Sequence, residues 1–188
     1  MNCYITIIGP RDKKKEYPNS IVINTTSCSS DFGKGLSPFY LGPCNLYDGW
    51  ISKTVENAWQ YSKVYEKHAT DGEPNDGYWN WAYSGWNSSK GERYPMGKGA
   101  KPLYSLWNGE KLNYIEARRK IYIPVYSEAA RKSEAYKQLK DLYDSGENLV
   151  MWDFDGYETN LEMEEIINNT KHSMGHAFVL KWMLEGKI

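Results

Sequence analysis

Residues 113–144 carry the longest helical periodicity in the chain, and the rest offers few places for sheet. Apolar residues recur there at three- and four-residue spacing, and Pro124 predicts a break at which a second helix starts. The β-rich runs are short by comparison. CYITIIG (3–9) ends at Gly9-Pro10, SIVIN (20–24) follows a polar turn, and a third apolar run, 148–152, stops at Asp153-Phe154-Asp155-Gly156. The first two predict an antiparallel hairpin. Further helices are predicted at 54–65, around 78–86, at 161–169 and at 175–185. No βαβ rhythm precedes residue 149. The expected fold class is α+β: one predominantly helical domain over 1–188, with a small N-terminal β-hairpin within 1–30.

Between these elements lie two long polar segments. Residues 25–49 are rich in Gly, Pro, Ser and Asn, yet Phe39, Tyr40, Leu41 and Tyr47 are embedded in them. A loop that carries aromatics is expected to be packed and functional. Residues 71–109 form the second. The whole chain holds 8 Trp and 16 Tyr against 4 Phe, which favours flat apolar walls that also carry a polar handle.

A net charge of −1 gives no overall positive field of the kind that announces nucleic acid. Two short basic stretches remain, RDKKK (11–15) and the turn around Lys98 and Lys101; each reads either as a solvated loop or as a phosphate contact. Cys3, Cys28 and Cys44 show no close pairing, and neither a signal peptide nor a bilayer-spanning apolar run is expected from the sequence. A cytoplasmic protein with reduced thiols and no membrane partner is expected.

Several motifs fall short of the chemistry they suggest. LVMWDFDGY (149–157) has the apolar strand and D-x-D of a haloacid-dehalogenase phosphatase, but only 33 residues follow Asp155, too few for the rest of such a site. A calcium loop lacks its Glu ligand there. What remains is a structural turn or an acid pair facing a pocket. His172 and His176 are four apart, yet no further zinc ligand accompanies them and Gly175 weakens a shared helix. DFGKGLSPF (31–39) and YPMGKGAKP (94–102) contain neither a P-loop nor a dinucleotide fingerprint; their Gly-Lys-Gly spacing suits an anion as well as it suits a tight turn.

TVENAWQYSK (54–63) poses a sharper question. Thr54 reads as an N-cap, and Glu56, Gln60 and Lys63 fall at i, i+4 and i+7 on one side of the predicted helix. A carboxylate flanked by Val55, Ala58 and Trp59 serves helix electrostatics, binds sugar hydroxyls, or does acid–base chemistry.

GLSPFYLGPCNLYDGWISKTVENAWQYSKVY (35–65) resembles the opening motif of the NADAR superfamily, proteins linked to NAD and ADP-ribose metabolism. The resemblance rests on Leu36, Ser37, Phe39 and Tyr40, then Asp48-Gly49, then Val55, Glu56, Ala58, Gln60 and Lys63. LVMWDFDGY and GHAFVLKWMLEG (175–186) are similar to the later acidic segment and closing helix of that family. Pro38 and Asn57 depart from the family's usual Asn and His, and residues 93–112 have no counterpart, which marks a divergent branch.

The resemblance implies a YbiA-like fold and N-glycosidase chemistry, hydrolysis of a C1′–N bond, without a cofactor or metal. The implied substrate is a nucleotide-like small molecule or a modified base in DNA, for instance ADP-ribosylated or hypermodified. Glu56 is then the catalytic carboxylate, with Asp153 or Asp155 binding ribose hydroxyls or assisting with a proton. Tyr40, Trp50 or Trp59 would wall the base, and Gln60, Lys63 and Lys98 would contact substrate. Two other readings stand beside it: a DNA glycosylase-type defence enzyme, and a non-enzymatic nucleotide binder in phage–host conflict.

Overall fold

The computed structural model describes residues 3–12 and 15–188. Its strands, in chain order, are β1 (Ile5–Ile8), β2 (Ile21–Asn24), β3 (Cys44–Asn45), β4 (Ile51–Ser52) and β5 (Lys63–Val64). They continue with β6 (Ala69–Thr70), β7 (Glu73–Pro74), β8 (Tyr104–Trp107), β9 (Glu110–Leu112) and β10 (Leu149–Trp152). The helices are α1 (Val55–Gln60), α2 (Asp76–Asn87), α3 (Tyr114–Ala117), α4 (Ile123–Arg131), α5 (Glu134–Asp144), α6 (Met163–Asn168) and α7 (His176–Leu184). Helix outweighs strand, 38% to 16%, so the coarse expectation of α+β stands. The chain divides into two compact units, one formed by residues up to Ser37 together with those from Ala130 onward, the other by 38–129.

The first unit is built on a three-stranded sheet of order β1-β10-β2. Here the expected hairpin is overturned. β1 and β2 do not pair with each other; β10 lies between them and runs parallel to both, Ile7 opposite Met151 and Met151 opposite Ile23. All four residues of β10 are buried, which is why LVMW reads as an unbroken apolar run rather than an alternating one. A central strand has both faces and both edges covered, so it takes the most apolar sequence available. Of the 11–15 basic run, Lys13 and Lys14 lie outside the described residues, while Lys15 pairs with Asp12 at 2.7 Å and Glu158 at 3.2 Å.

The second unit is held by an aromatic core of Tyr61, Val64, Tyr78, Ala82, Trp86 and Leu106. α2 supplies Tyr78, Ala82, Gly85 and Trp86, a stripe at helical spacing, and is capped by the Asn75 side chain, which accepts from Tyr78 N. The sequence expectation of a short helix near 78–86 becomes twelve residues. Gly85 is required because a side chain there would enter the Tyr61 ring.

Pro124 does not break the 113–144 helix as expected. α3 runs on through a π-helical turn (Arg118–Tyr122) into α4, and Pro124 lies inside that continuous helix. A proline cannot donate to the preceding turn, and the wider π turn just before it accommodates the lost bond. The real break comes at Ser133, whose hydroxyl accepts from Tyr136 N to start α5.

Candidate functional site

In the second unit, the start of α1 is docked by the aromatic loop that precedes it. A helix opens with N–H groups that have no intrahelical partner. Val55 N donates to Leu41 O at 2.9 Å, Glu56 N to Pro38 O at 2.9 Å, and Asn57 N to the Thr54 hydroxyl at 3.1 Å. Residues 38–41 and Thr54 therefore set where Glu56 sits.

α1 is shorter than predicted. It ends at Gln60, and Lys63 lies on β5, opposite Ser105 of β8. The β-forming Lys63-Val64 pair exchanges helix for sheet. Lys63 nonetheless meets the other two residues of the expected trio. Gln60 Nε2 donates to Glu56 Oε1 at 2.9 Å, and Lys63 Nζ donates to Gln60 Oε1 at 2.7 Å. Glu56 and Gln60 are buried. The Lys63 ammonium also lies 4.9 Å from the centre of the Trp59 ring. Burial pushes the amine of Lys63 down to about 8, with the charge of Glu56 acting in the opposite sense.

Trp59 extends this cluster. Its ring centre is 5.3 Å from that of Tyr122 and 6.2 Å from that of Tyr114. On the π turn Arg118 is 1% exposed, its guanidinium carbon 4.4 Å over the Tyr114 ring and its Nη2 donating to the Tyr114 hydroxyl at 3.1 Å. Sequence reasoning passed over Arg118. The signal was present: it shares a helical stripe with Ile121, Tyr122 and Val125, all buried, and an arginine inside an apolar stripe needs a reason. Two cationic side chains, one carboxylate and a partly exposed aromatic wall give this unit groups suited to an anionic ligand that carries a flat ring.

The other expected residues of this unit stand differently. Trp50 stacks on Tyr83, ring centres 4.1 Å apart, and so is part of the aromatic cover of α2. Tyr40 is exposed, and Lys98 is exposed on a turn between two glycines of positive φ. Asn57, at the position where the resembling family has His, is wholly buried. Its amide nitrogen donates to Gly85 O and Lys90 O, each at 2.9 Å, and its oxygen accepts from Glu92 N at 2.9 Å. That residue pins the 85–92 segment against α1.

Asp153 and Asp155 belong to the first unit. Asp153 is buried at the end of β10 and works as a junction. Its Oδ2 accepts from Ala177 N at 3.0 Å in the first turn of α7, and its Oδ1 from Asp155 N at 3.1 Å. Gly175 leaves room for that carboxylate. His176 Nδ1 is 3.1 Å from Asp153 Oδ2, and His176 Nε2 is 2.8 Å from Thr25 O. Asp155 is half-buried. His172 turns elsewhere, its ring 5.0 Å from that of Tyr157. A cavity of about 350 Å³ in this unit is bordered by Thr6, Ile7, Phe178, Lys181 and Trp182, and none of the predicted site residues lines it. No described helix is long and apolar enough to cross a membrane.

Comparison with curated proteins finds no match. A family model does match, over residues 10–180, and its description is a family of unknown function, DUF6939. That span takes in every strand from β2 to β10 and the whole Glu56–Gln60–Lys63 cluster, and the chain belongs to the DUF6939 family.

Proposed function

We propose that this protein is an N-glycosidase, a divergent relative of the NADAR superfamily with a YbiA-like fold, that hydrolyses a C1′–N bond in a nucleotide-like substrate or a modified base in DNA. The observation that carries the reading is the line from Glu56 through Gln60 to Lys63, set beside the Trp59 ring in the segment that bears the family resemblance. Cleavage of such a bond passes through an oxocarbenium-like state. A buried carboxylate beside C1′ stabilises that charge and takes the proton of the attacking water. The departing base needs a proton or a cation, and an amine that titrates close to neutrality supplies either. Trp59 and Tyr114 offer aromatic surface for the base.

The test is product analysis by mass spectrometry after incubation with ADP-ribosylated DNA, DNA with hypermodified bases, NAD and related nucleotides, and riboflavin precursors. Wild type is expected to release a free base or sugar, with Glu56→Gln slower by about 10²–10⁴-fold. Full activity in Glu56→Gln would sink the role given to Glu56. Release from polymer alone would select the DNA glycosylase form. A ligand retained unchanged by both proteins would turn the reading to a nucleotide-binding protein.

A further inference from the structure

Glu56 and Lys63 are the groups to which the proposed reaction assigns its chemistry, and opposite charges this close normally pair. Lys63 does not bond Glu56 directly here. Gln60 stands between them, one end of its amide on each. The orientation of that amide is forced, because an ammonium only donates and an ionised carboxylate only accepts. The oxygen must face Lys63 and the NH₂ must face Glu56. Gln60 is buried and both ends of its amide are engaged, which leaves it poorly placed to read a substrate.

Resting on the N-glycosidase reading, we infer that Gln60 is a positioning residue: its neutral amide holds Lys63 out of direct contact with Glu56, so that acid and amine meet a substrate as two separate groups. A direct ion pair would lock both partners in their charged forms. An intervening amide passes on a hydrogen bond but brings no net charge. The surroundings of the amine agree. Trp59 faces it from α1 and Ser105 lies opposite it on β8, both uncharged, and Glu56 is the charged group whose field acts on it. Among the described residues no carboxylate bonds Lys63 Nζ directly. With the amine titrating near 8, both of its forms are populated close to neutrality. A salt-bridged lysine would lack the neutral one.

The experiment follows the ¹³Cε shift of Lys63 by NMR against pH in lysine-labelled protein, the signal identified by its absence from Lys63→Arg. It compares wild type, Gln60→Glu and Gln60→Met, each checked for native circular dichroism. Gln60→Glu puts a carboxylate against the ammonium and is expected to raise the midpoint by about 1–3 pH units. Gln60→Met removes the accepting oxygen and is expected to lower it. An unchanged midpoint in Gln60→Met overturns the inference, whatever Gln60→Glu does. If that variant does not fold, Gln60→Leu, which also keeps apolar bulk between the two charges and has no acceptor, takes its place with the same two outcomes. On any substrate found for the wild type, the basic limb of the kcat/KM profile of Gln60→Glu should move by the shift seen in the NMR titration; a profile that stays put also overturns it. If both midpoints move as expected while wild type cleaves no N-glycosidic bond, the spacer stands and the N-glycosidase reading falls.

Discussion

Lys63 illustrates how much of a residue's chemistry comes from its surroundings. Burial lowers its proton affinity and Glu56 restores only part. In the unfolded chain the amine titrates at its ordinary 10.5, in the folded protein at about 8. Between these values the unfolded state binds more protons, so the lysine's contribution to stability improves as pH rises through that window. Below about pH 8 the buried ammonium is a net cost. Lys63→Met is therefore expected to stabilise the protein by about 1–3 kcal/mol at pH 7, the gain fading toward pH 10.5. Urea unfolding of the two proteins at several pH values, taken as a difference so that the tyrosines cancel, would show it. A gain that is independent of pH would contradict the assignment.

At the scale of the element, helices here depend on groups supplied from outside them. α1 spans six residues, far too short to persist alone, and exists because the 38–41 loop and Thr54 satisfy its opening N–H groups. α7 takes its cap from Asp153 at the end of β10. Asp153→Asn keeps the shape but loses the charge beside the helix N-terminus and beside His176, and is expected to cost about 1–3 kcal/mol in denaturant unfolding. A cost near zero would leave Asp153 free for another role. Gly85→Ala tests the aromatic core of the second unit. The added methyl meets the Tyr61 ring, itself held 4.4 Å from Trp81, and is expected to cost about 1–3 kcal/mol.

The sheet of the first unit is where the whole chain has its say. β10 is paired on both sides while β1 and β2 are each paired on one, so β10 amides should be among the slowest to exchange with deuterium. The glycine turn around Lys98 should exchange fastest among ordered loops. Faster exchange in β10 than in β1 would argue against the parallel order. This order was not legible in the sequence. The runs 3–9, 20–24 and 148–152 were each visible as strands from local composition, but an antiparallel hairpin was expected because the first two are neighbours along the chain.

What the sequence alone determined lies mostly within a dozen residues of itself. Thr54 as a cap, the helix near 78–86, the buried run of β10, and the placing of Glu56 and Gln60 on one side of α1 all follow from side-chain size, capping chemistry and periodicity, which act over a turn or two of backbone. Tertiary structure decided the rest. It ended α1 at Gln60 by pairing Lys63 with Ser105, carried the helix past Pro124 through a π turn, and buried Arg118 against Tyr114. It also made Asp153 a helix cap and placed β10 between two strands from the far end of the chain. Each of these turns on a partner distant in sequence, and a strand's period or an acid's neighbours carry no record of which distant backbone will meet it.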